Sequence, residues 1–238
     1  MNKKYEFTDE TTEVDGHTLH RIRAVRCFSD VKAGDIGGWV EKEDNLSKMG
    51  DAWVYENAEV YGNAKVHGDA EIYCNAKVFG NAKVYENARV YGNAILYGYT
   101  LVCGNANVYG NAWVFGKSKV YGNARICDNA KVYGKAIVHG DSEICDDTII
   151  CGKANIFNAD INGNAKVAST SDYIVFKNWW SSGRYFTWTR SNNMWSVGCF
   201  YGTGEELIAK AYKDSELSGR EYKRVVKYVE SIINEDKI

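Results

Sequence analysis

Histidine side chains are the groups in this sequence whose pKa suits general acid–base chemistry near neutral pH. The 238 residues contain four of them: His17, His20, His67 and His139. The first pair lies near the N-terminus, and the second pair is widely separated in the middle of the chain. A general base needs a pocket, and a histidine zinc centre needs several ligands around one ion. Whether any of the four can share a site depends on the fold between them.

Cysteine thiols are candidate nucleophiles, metal ligands and disulfide partners. The seven cysteines are Cys27, Cys74, Cys103, Cys127, Cys145, Cys151 and Cys199. Their number is odd, no Cys-x-x-Cys pair occurs, and the N-terminal segment has no apolar signal core. We therefore expect free thiols in a reducing, cytoplasmic compartment.

Aromatic and basic residues are concentrated near the C-terminus. Residues 171–200 contain Lys177, Arg184 and Arg190 against Asp172 as the acidic residue. Rings beside Arg can stack on a base or a nucleotide, whereas the alternative is that they form the core of a small domain. Two consecutive tryptophans in an extended strand cannot both face inward. The candidate binding residues are Trp179, Trp180, Arg184, Tyr185, Trp188 and Arg190.

Composition limits the partners of this chain. The formal net charge is -2, and no apolar run is long enough to span a bilayer, so we expect neither nucleic acid nor a membrane as a partner. Basic and acidic residues balance along the middle of the chain, and a neutral surface lacks the phosphate contacts that dominate nucleic-acid affinity.

The middle of the chain has a six-residue repeat. A branched aliphatic residue or Leu stands at every sixth position from Val54 to Ile156 without interruption. A small residue, usually Ala, stands two positions earlier, so both side chains point to one side of a strand. Gly-Asn or Glu-Asn follows, and these residues tolerate the positive φ of a tight corner. Each unit is predicted to be a short strand and a corner, with a core formed by stacking.

This pattern, which begins Ala52-Trp53-Val54-Tyr55-Glu56-Asn57, resembles the hexapeptide repeat of left-handed parallel β-helix proteins. The resemblance covers about half of the chain. In that family three hexapeptide units make one triangular coil. The resemblance implies a mainly β fold with about six to seven coils. After Ile156 the pattern slips by one position to Ile161, which marks the C-terminal coil.

The flanking segments lack the repeat and predict caps. Residues 1–36 predict a β-hairpin, with a turn at Asp15-Gly16, and a cap. Residues 37–168 then form the left-handed β-helix. Residues 169–238 predict a small α+β domain with a three-stranded meander and two helices, the third strand covering 194–200. The second helix is predicted to begin at Ser218 or Gly219.

Two flanking motifs resemble a group of bacterial and phage hypothetical proteins. Residues 31–39 match a V-K-x-G-D-x-G-G-aromatic segment at Val31, Lys32, Gly34, Asp35, Gly37, Gly38 and Trp39. Residues 198–203 match a G-C-F-x-G-T segment that precedes a helix. The resemblance implies a phage or mobile-element origin, and hence the cytoplasm of a host cell. It supplies no activity.

A coil of three hexapeptides sorts the outward residues onto three faces. The first face stacks Tyr55, Tyr73, Tyr91, Tyr109, Cys127 and Cys145. The third face stacks His67, Tyr85, Cys103, Tyr121, His139 and Phe157. The second face is the most apolar, and its candidate interface residues are Tyr61, Phe79, Ile95, Tyr97, Trp113, Phe115, Tyr133 and Ile149. A homo-oligomer or the C-terminal domain is predicted to cover it, although stacked rings can also simply stabilise neighbouring strands.

The same sorting stacks Cys127 on Cys145, with Cα atoms about 4.8 Å apart. That distance permits a disulfide. In a reducing cell we expect two free thiols. With no His or Asp predicted beside them, we expect no metal at this pair.

The function must fit an uninterrupted coil. His67 and His139 lie four coils apart, or about 19 Å, which is too far for one small site. Many hexapeptide β-helices resemble coenzyme A-dependent acyltransferases, which use a His base and loops that leave the coil at a subunit boundary. No loop interrupts the repeat here. The acyltransferase is therefore the alternative to a non-enzymatic binding or scaffold protein without catalytic residues, metal or cofactor. Such a protein would bind a host protein or a small nucleotide and interfere with host defence.

Overall fold

The computed structural model describes residues 3–235 as a parallel β-solenoid with a cap at each end. The strands are, in chain order, β1 (Tyr5–Val14), β2 (His17–Ala24), β3 (Ile36–Val40), β4 (Trp53–Val54), β5 (Glu59–Val60), β6 (Lys65–Val66), β7 (Glu71–Ile72), β8 (Lys77–Val78), β9 (Lys83–Val84), β10 (Arg89–Val90), β11 (Ile95–Leu96), β12 (Leu101–Val102), β13 (Asn107–Val108), β14 (Trp113–Val114), β15 (Lys119–Val120), β16 (Arg125–Ile126), β17 (Lys131–Val132), β18 (Ile137–His139), β19 (Glu143–Ile144), β20 (Ile149–Ile150), β21 (Asn155–Phe157), β22 (Asp160–Ile161), β23 (Lys166–Val167), β24 (Tyr173–Lys177), β25 (Tyr185–Thr189), β26 (Met194–Val197) and β27 (Phe200–Gly202). The helices are α1 (Gly204–Asp214) and α2 (Glu216–Glu235), with single 3-10 turns at Glu43–Asn45 and Thr170–Asp172. The predicted mainly β fold with a parallel β-helix is confirmed. Among these residues no helix is long and apolar enough to cross a bilayer.

Three parallel sheets form the sides of the solenoid. The first face is the sheet β4-β7-β10-β13-β16-β19-β22, and the third face is β6-β9-β12-β15-β18-β21. The second face is β5-β8-β11-β14-β17-β20-β23, extended at one end by β1 to β3. Each strand pairs in register with the equivalent strand of the next coil, as Val90 does with Val108. This register places equivalent side chains of successive coils directly above one another.

Alanine and aliphatic side chains fill the interior, as the hexapeptide pattern predicts. Ala94, Leu96, Ala112 and Val114, for example, are all 0% exposed. Burial of a Val or Leu side chain contributes roughly 1.5–3 kcal/mol. Because each coil has only a thin slice of this core, the stability of the solenoid depends on stacking.

The corners explain why glycine recurs in the repeat. Gly92 has a φ of 70°, which side chains with a Cβ rarely adopt, and a Cβ there would lie 2.9 Å from the amide nitrogen of Gly110. Some non-glycine residues, including Glu56 and Cys74, take the same left-handed conformation at other corners, with φ of 52° and 59°.

The N-terminal hairpin extends the second face and closes one end of the solenoid. β2 pairs antiparallel with β3, and β3 runs parallel to β5. Val40 pairs with Val60, which in turn pairs with Val78, so the first coil is slightly longer than the second. Trp53 is 1% exposed beneath the rings of Tyr5 and Phe28. The buried ammonium of Lys4 donates a hydrogen bond to the carbonyl of Ala52.

The C-terminal domain differs from the prediction in its strand count. Its sheet has four strands in the order β24-β25-β26-β27, whereas three were predicted. A turn at Gly198, whose φ is 57°, divides the predicted third strand into β26 and β27. The second helix begins at Glu216, before the predicted start at Ser218 or Gly219. A capping box between Thr203 and Glu206 begins α1.

This domain lies against the last coil of the solenoid. The amide of Asp160 donates to Thr187 Oγ1 at 3.2 Å, and that of Lys166 donates to Ser191 Oγ at 2.7 Å. The hydroxyl of Tyr173 donates to the carbonyl of Asn155 at 2.7 Å. The exposed end of the solenoid is thereby covered, as an open sheet edge requires.

Candidate functional sites

A row of lysines follows the third face and the corner that precedes it. Lys65, Lys83 and Lys119 occupy the first outward position of their strands, and Lys117, Lys135 and Lys153 stack at the corner. We name these six, together with Lys42, the basic strip. All seven side chains are exposed. Among residues 3–235, none of the seven forms an ion pair with a carboxylate.

The balanced charge expected along the repeat is therefore wrong for this face. Its two outward columns from Lys65 to Phe157 contain no Asp or Glu. Lys65 and Lys83 are direct partners in the parallel ladder, and like charges in that position destabilise a sheet. Balance exists for the solenoid as a whole, but the acidic residues lie at other corners and on other faces.

A groove opens at the N-terminal end of the basic strip. Its volume is about 330 Å³, and it is lined by Lys42, Asp44, Asn45, Asn63, Ala64, Lys65, Asn81 and Lys83. Three ammonium groups thus face one carboxylate among the lining residues. The Asn45 amide is not free for a ligand, because it donates to the carbonyls of Gly62 and Ala64. The amides of Asn63 and Asn81 lie at the corners.

His67 reports the positive potential of the same face. Its ring stacks on Tyr85 with centroids 4.9 Å apart. Burial lowers the pKa of His67 first, and the charges of Lys83 and Lys65 lower it further. The neutral imidazole is therefore favoured near neutral pH. No hydrogen bond orients this ring within the described part of the chain, although a general base requires such orientation.

His139 lies in a different environment on the same face. Its ring stacks between Tyr121 and Phe157, and a ring nitrogen lies 3.1 Å from Asn155 Oδ1. Neither His67 nor His139 lines the groove of the basic strip. The structure thus does not bring the two histidines together.

A second cleft lies where the C-terminal domain overhangs the first face. Its volume is about 560 Å³, and solenoid and cap both contribute to it. We name it the junction cleft; its charged lining residues are Asp128, Glu143, Asp146, Asp160 and Arg184. Burial raises the pKa of Asp160 to about 6, and the neighbouring charge of Glu143 acts in the same direction. The junction cleft is therefore acidic, in contrast to the groove of the basic strip.

The floor of the junction cleft corrects the expectation about its cysteines. Cys127 and Cys145 form a disulfide with Cα atoms 4.7 Å apart, where two free thiols were predicted. The in-register ladder places both sulfurs side by side. A carboxylate also lies beside them, where the sequence had predicted neither His nor Asp: Glu143 Oε1 is 3.7 Å from Cys145 Sγ. The other five cysteines are free thiols.

The second face carries the predicted ring stack. Centroids of Tyr97 and Phe115 are 4.9 Å apart with planes 2° from parallel. The N-terminal hairpin covers the first member, because the hydroxyl of Tyr61 donates to Asp15 Oδ2. Trp113 is 40% exposed, with Lys131 5.7 Å from its ring. The remaining candidates are half-buried by their neighbours: Phe79, Ile95, Tyr133 and Ile149.

The candidate residues of the C-terminal domain do not form one site. Trp188 is 2% exposed and its Nε1 donates to Asn193, so its assignment as a ligand-contacting residue is wrong; it is a core residue. Trp180 packs against Tyr222, with its Nε1 buried and unpaired within the described residues. Trp179 is the outward member of the pair, 74% exposed.

Three polar or amphipathic members of that set lie elsewhere on the domain surface. Arg184 lines the junction cleft. Tyr185 is half-buried, with the ammonium of Lys177 5.8 Å from its ring. Arg190 lies 5.9 Å from the Trp188 ring. The groove at Lys42, Lys65 and Lys83 was not predicted from the sequence, although the period of one coil already stacks the last two.

Comparison with known proteins identifies the repeat. Residues 82–98 and 124–140 match the family model described as YdcK Beta solenoid repeat. A protein of Escherichia coli strain K12, named "Uncharacterized acetyltransferase YdcK", is 41% identical over 49 residues. That match covers 20% of this chain and 15% of the relative. The chain is thus a β-solenoid repeat protein similar in part to that relative, and the match is confined to a short stretch.

Proposed function

We propose that this chain is a non-enzymatic binding protein that holds a phosphate-bearing ligand of nucleotide size in the groove of the basic strip. The observation that carries this proposal is the lining of the groove: Lys42, Lys65 and Lys83 face it with Asp44 as the one carboxylate among the lining residues. Its volume of about 330 Å³ is within the range of small-ligand sites.

The charge distribution supports an anionic ligand. Lys65 and Lys83 repel each other across the ladder, and a phosphate between them would replace that repulsion with two charge-assisted hydrogen bonds. The amides of Asn63 and Asn81 are donors and acceptors for sugar or base. Because the backbone here is a hydrogen-bonded ladder, the Cα atoms of Lys65 and Lys83 need no rearrangement on binding, and the ordering cost is confined to the lysine side chains.

A coenzyme A-dependent acyltransferase is the second candidate. The short similarity to a protein named as an acetyltransferase favours it, and so does the lowered pKa of His67, which keeps the imidazole in the basic form. Coenzyme A carries phosphates that the same lysines can bind. An unoriented His67 outside the groove argues against catalysis within one chain.

Isothermal titration calorimetry distinguishes the two candidates. The full chain is titrated with ADP and, separately, with acetyl coenzyme A at low ionic strength. The proposal predicts micromolar binding of ADP that is lost in the Lys65→Glu, Lys83→Glu double variant, and no faster thiol release from acetyl coenzyme A than in buffer. Absence of ADP binding contradicts the proposal. Acetyl coenzyme A binding at least tenfold tighter, with thiol release that His67→Asn abolishes, favours the enzyme.

Biological setting and assembly also belong to this proposal. The flanking motifs motivate a phage origin, with a host protein or a nucleotide signal in the host cytoplasm as target. The ring stack around Trp113 motivates a homo-oligomer through the second face. Light scattering tests the latter: we expect a dimer or larger assembly that Trp113→Lys dissociates. A monomeric wild-type chain contradicts it.

A further inference from the structure

The junction cleft contains a set of side chains whose chemistry suits a metal ion. The sulfurs of Cys127 and Cys145 and a carboxylate oxygen of Glu143 all lie within 4.8 Å of one another. Ligand atoms around a tetrahedral zinc ion bound by sulfur are roughly 3.8 Å apart. In the disulfide the two sulfurs are bonded to each other, so they must separate to that distance after reduction, which rotation of the two neighbouring side chains permits because their Cα atoms are 4.7 Å apart.

The solenoid ladder holds these ligands without any special loop. Cys127 and Cys145 occupy the same outward position of successive coils, and Glu143 is two residues before Cys145 on the same side of its strand. Arg125 is the ladder partner of Glu143, with Nη1 3.6 Å from its carboxylate. One neighbour thus orients the carboxylate from outside the ligand set, as residues around metal sites commonly do.

The surroundings favour a cation on the open side. Asp160 is the ladder partner of Glu143 in the next coil, and Asp128 and Asp146 also line the cleft. Arg184 is the one basic lining residue in the described chain. Residues 198–201 of the C-terminal domain line the cleft on the side opposite the solenoid. A cation bound here would have a carboxylate-rich environment and a fourth position open to Asp160 or water.

We propose that the reduced protein binds one thiophilic divalent cation of the zinc class through Cys127, Cys145 and Glu143. The disulfide and the metal are two states of one site. Two molecules of a cellular thiol supply the two electrons and two protons that reduce the disulfide, and they leave as the oxidised thiol. The metal ion then binds both sulfurs and displaces two protons. This site is independent of the anion-binding groove.

Titration of the reduced, chelator-treated full chain with Co²⁺ tests the proposal. We expect one ion per chain, a thiolate-to-cobalt charge-transfer band, release of two protons per ion, and displacement of Co²⁺ by Zn²⁺. Oxidation of the chain should abolish the band. ADP titration of the same sample keeps the two proposals separate, because loss of the metal site should leave ADP binding unchanged.

Matched variants assign the ligands. Cys127→Ser and Cys145→Ser should each lower the Co²⁺ affinity at least tenfold and weaken the charge-transfer band. Glu143→Gln should lower the Co²⁺ affinity about tenfold. Cys103→Ser, a substitution of a buried thiol on the third face, is the control and should change nothing. The proposal is overturned if the oxidised chain or the Cys127→Ser variant binds Co²⁺ as tightly as the reduced wild-type chain. It is also overturned if Co²⁺ binds without a charge-transfer band. Reduction of the Cys127–Cys145 disulfide that occurs only when the chain unfolds, as judged by circular dichroism, likewise overturns it.

Discussion

The basic strip and the junction cleft lie on two faces of the solenoid that share the same in-register stacking but carry opposite charge. At the strip, Lys65 and Lys83 are in-register partners and their charges add. At the cleft, Glu143 and Asp160 are in-register partners on the first face, beside the stacked pair Cys127 and Cys145. The backbone is the same in both places. The difference lies in the outward side chains and in the capping segment that completes each site.

This comparison explains how an uninterrupted solenoid can carry binding sites. Each outward position recurs about every 4.8 Å along the axis, so two residues placed one coil apart in sequence become neighbours. The solenoid core does not depend on what those residues are. Charged and thiol groups can therefore be clustered at little cost to folding, apart from their mutual repulsion.

The largest expected effect is on ligand affinity at the strip. In the Lys65→Glu, Lys83→Glu double variant we expect ADP affinity to fall more than 100-fold, because each lysine contributes roughly 1.5–3 kcal/mol as a charged hydrogen-bond donor and about 1.4 kcal/mol is a factor of ten. Calorimetry measures the change. Lys213→Glu with Lys227→Glu, exposed on the two helices, is the matched control. An equal loss in the control shows that overall charge, and not the groove, attracts the ligand.

Salt should separate the two sites. Exposed lysines are screened at high ionic strength, so ADP affinity should drop several-fold between about 0.05 and 0.5 M salt. Co²⁺ affinity depends on ligation by two buried sulfurs, so its decrease over the same salt range should be less than half as large. Parallel titrations at both salt concentrations measure this. If ADP and Co²⁺ affinity fall by the same factor with salt, the proposed difference between the basic strip and the junction cleft is contradicted.

The pKa of His67 gives a smaller, local effect. Burial and the charges of Lys83 and Lys65 hold this pKa below its ordinary value, so the folded chain binds fewer protons than the unfolded chain just below pH 6.5. The stability cost of protonating His67 therefore appears as pH falls through that window and is absent above it. NMR titration should find the pKa raised by Lys83→Gln and raised again by ADP. A His67 pKa that neither Lys83→Gln nor ADP changes contradicts the proposed position of the ligand.

The smallest effect is on the stability of the ladder itself. Lys65→Gln removes the like-charge pair with Lys83, and we expect a gain of about 0.2–1 kcal/mol in the free energy of unfolding. At the cleft, Glu143→Gln breaks the pair with Arg125 and should cost no more than about 1 kcal/mol, because that pair is largely exposed. Denaturant melts of both variants measure the two signs. A lower free energy of unfolding in Lys65→Gln shows that Lys65 and Lys83 do not destabilise the sheet by repelling each other.

The solenoid could be predicted from the sequence because one rule generates it. A small residue and an aliphatic residue two positions apart determine which side chains are buried, and the corner residues determine where the strand ends. The stack of Tyr97 on Phe115 and the juxtaposition of Cys127 and Cys145 follow from the same period. Charge clusters that involve corner residues, such as Lys117 with Lys135, were not predicted, because these residues lie between strands and the strand pattern does not determine which way they point.

The C-terminal domain was harder to predict because no period constrains it. Gly198 turns the chain inside a run of strand-forming residues, which no alternation indicates, and a fourth strand results. The sequence shows that one of Trp179 and Trp180 faces outward, but only packing against Phe186 and Tyr222 decides which. Trp188 is an aromatic residue in a strand beside Arg190, a pattern that also fits a ligand-stacking residue, and it is nevertheless a core side chain.

Lysine footprinting by mass spectrometry tests most directly whether the ligand binds at the basic strip. The full chain is labelled with an amine-reactive reagent in the presence and absence of saturating ADP. The proposed site predicts that ADP slows labelling of Lys42, Lys65 and Lys83 by at least several-fold and leaves Lys166, Lys177 and Lys213 unchanged. Uniform labelling at the three groove lysines, or protection confined to the C-terminal domain, contradicts it.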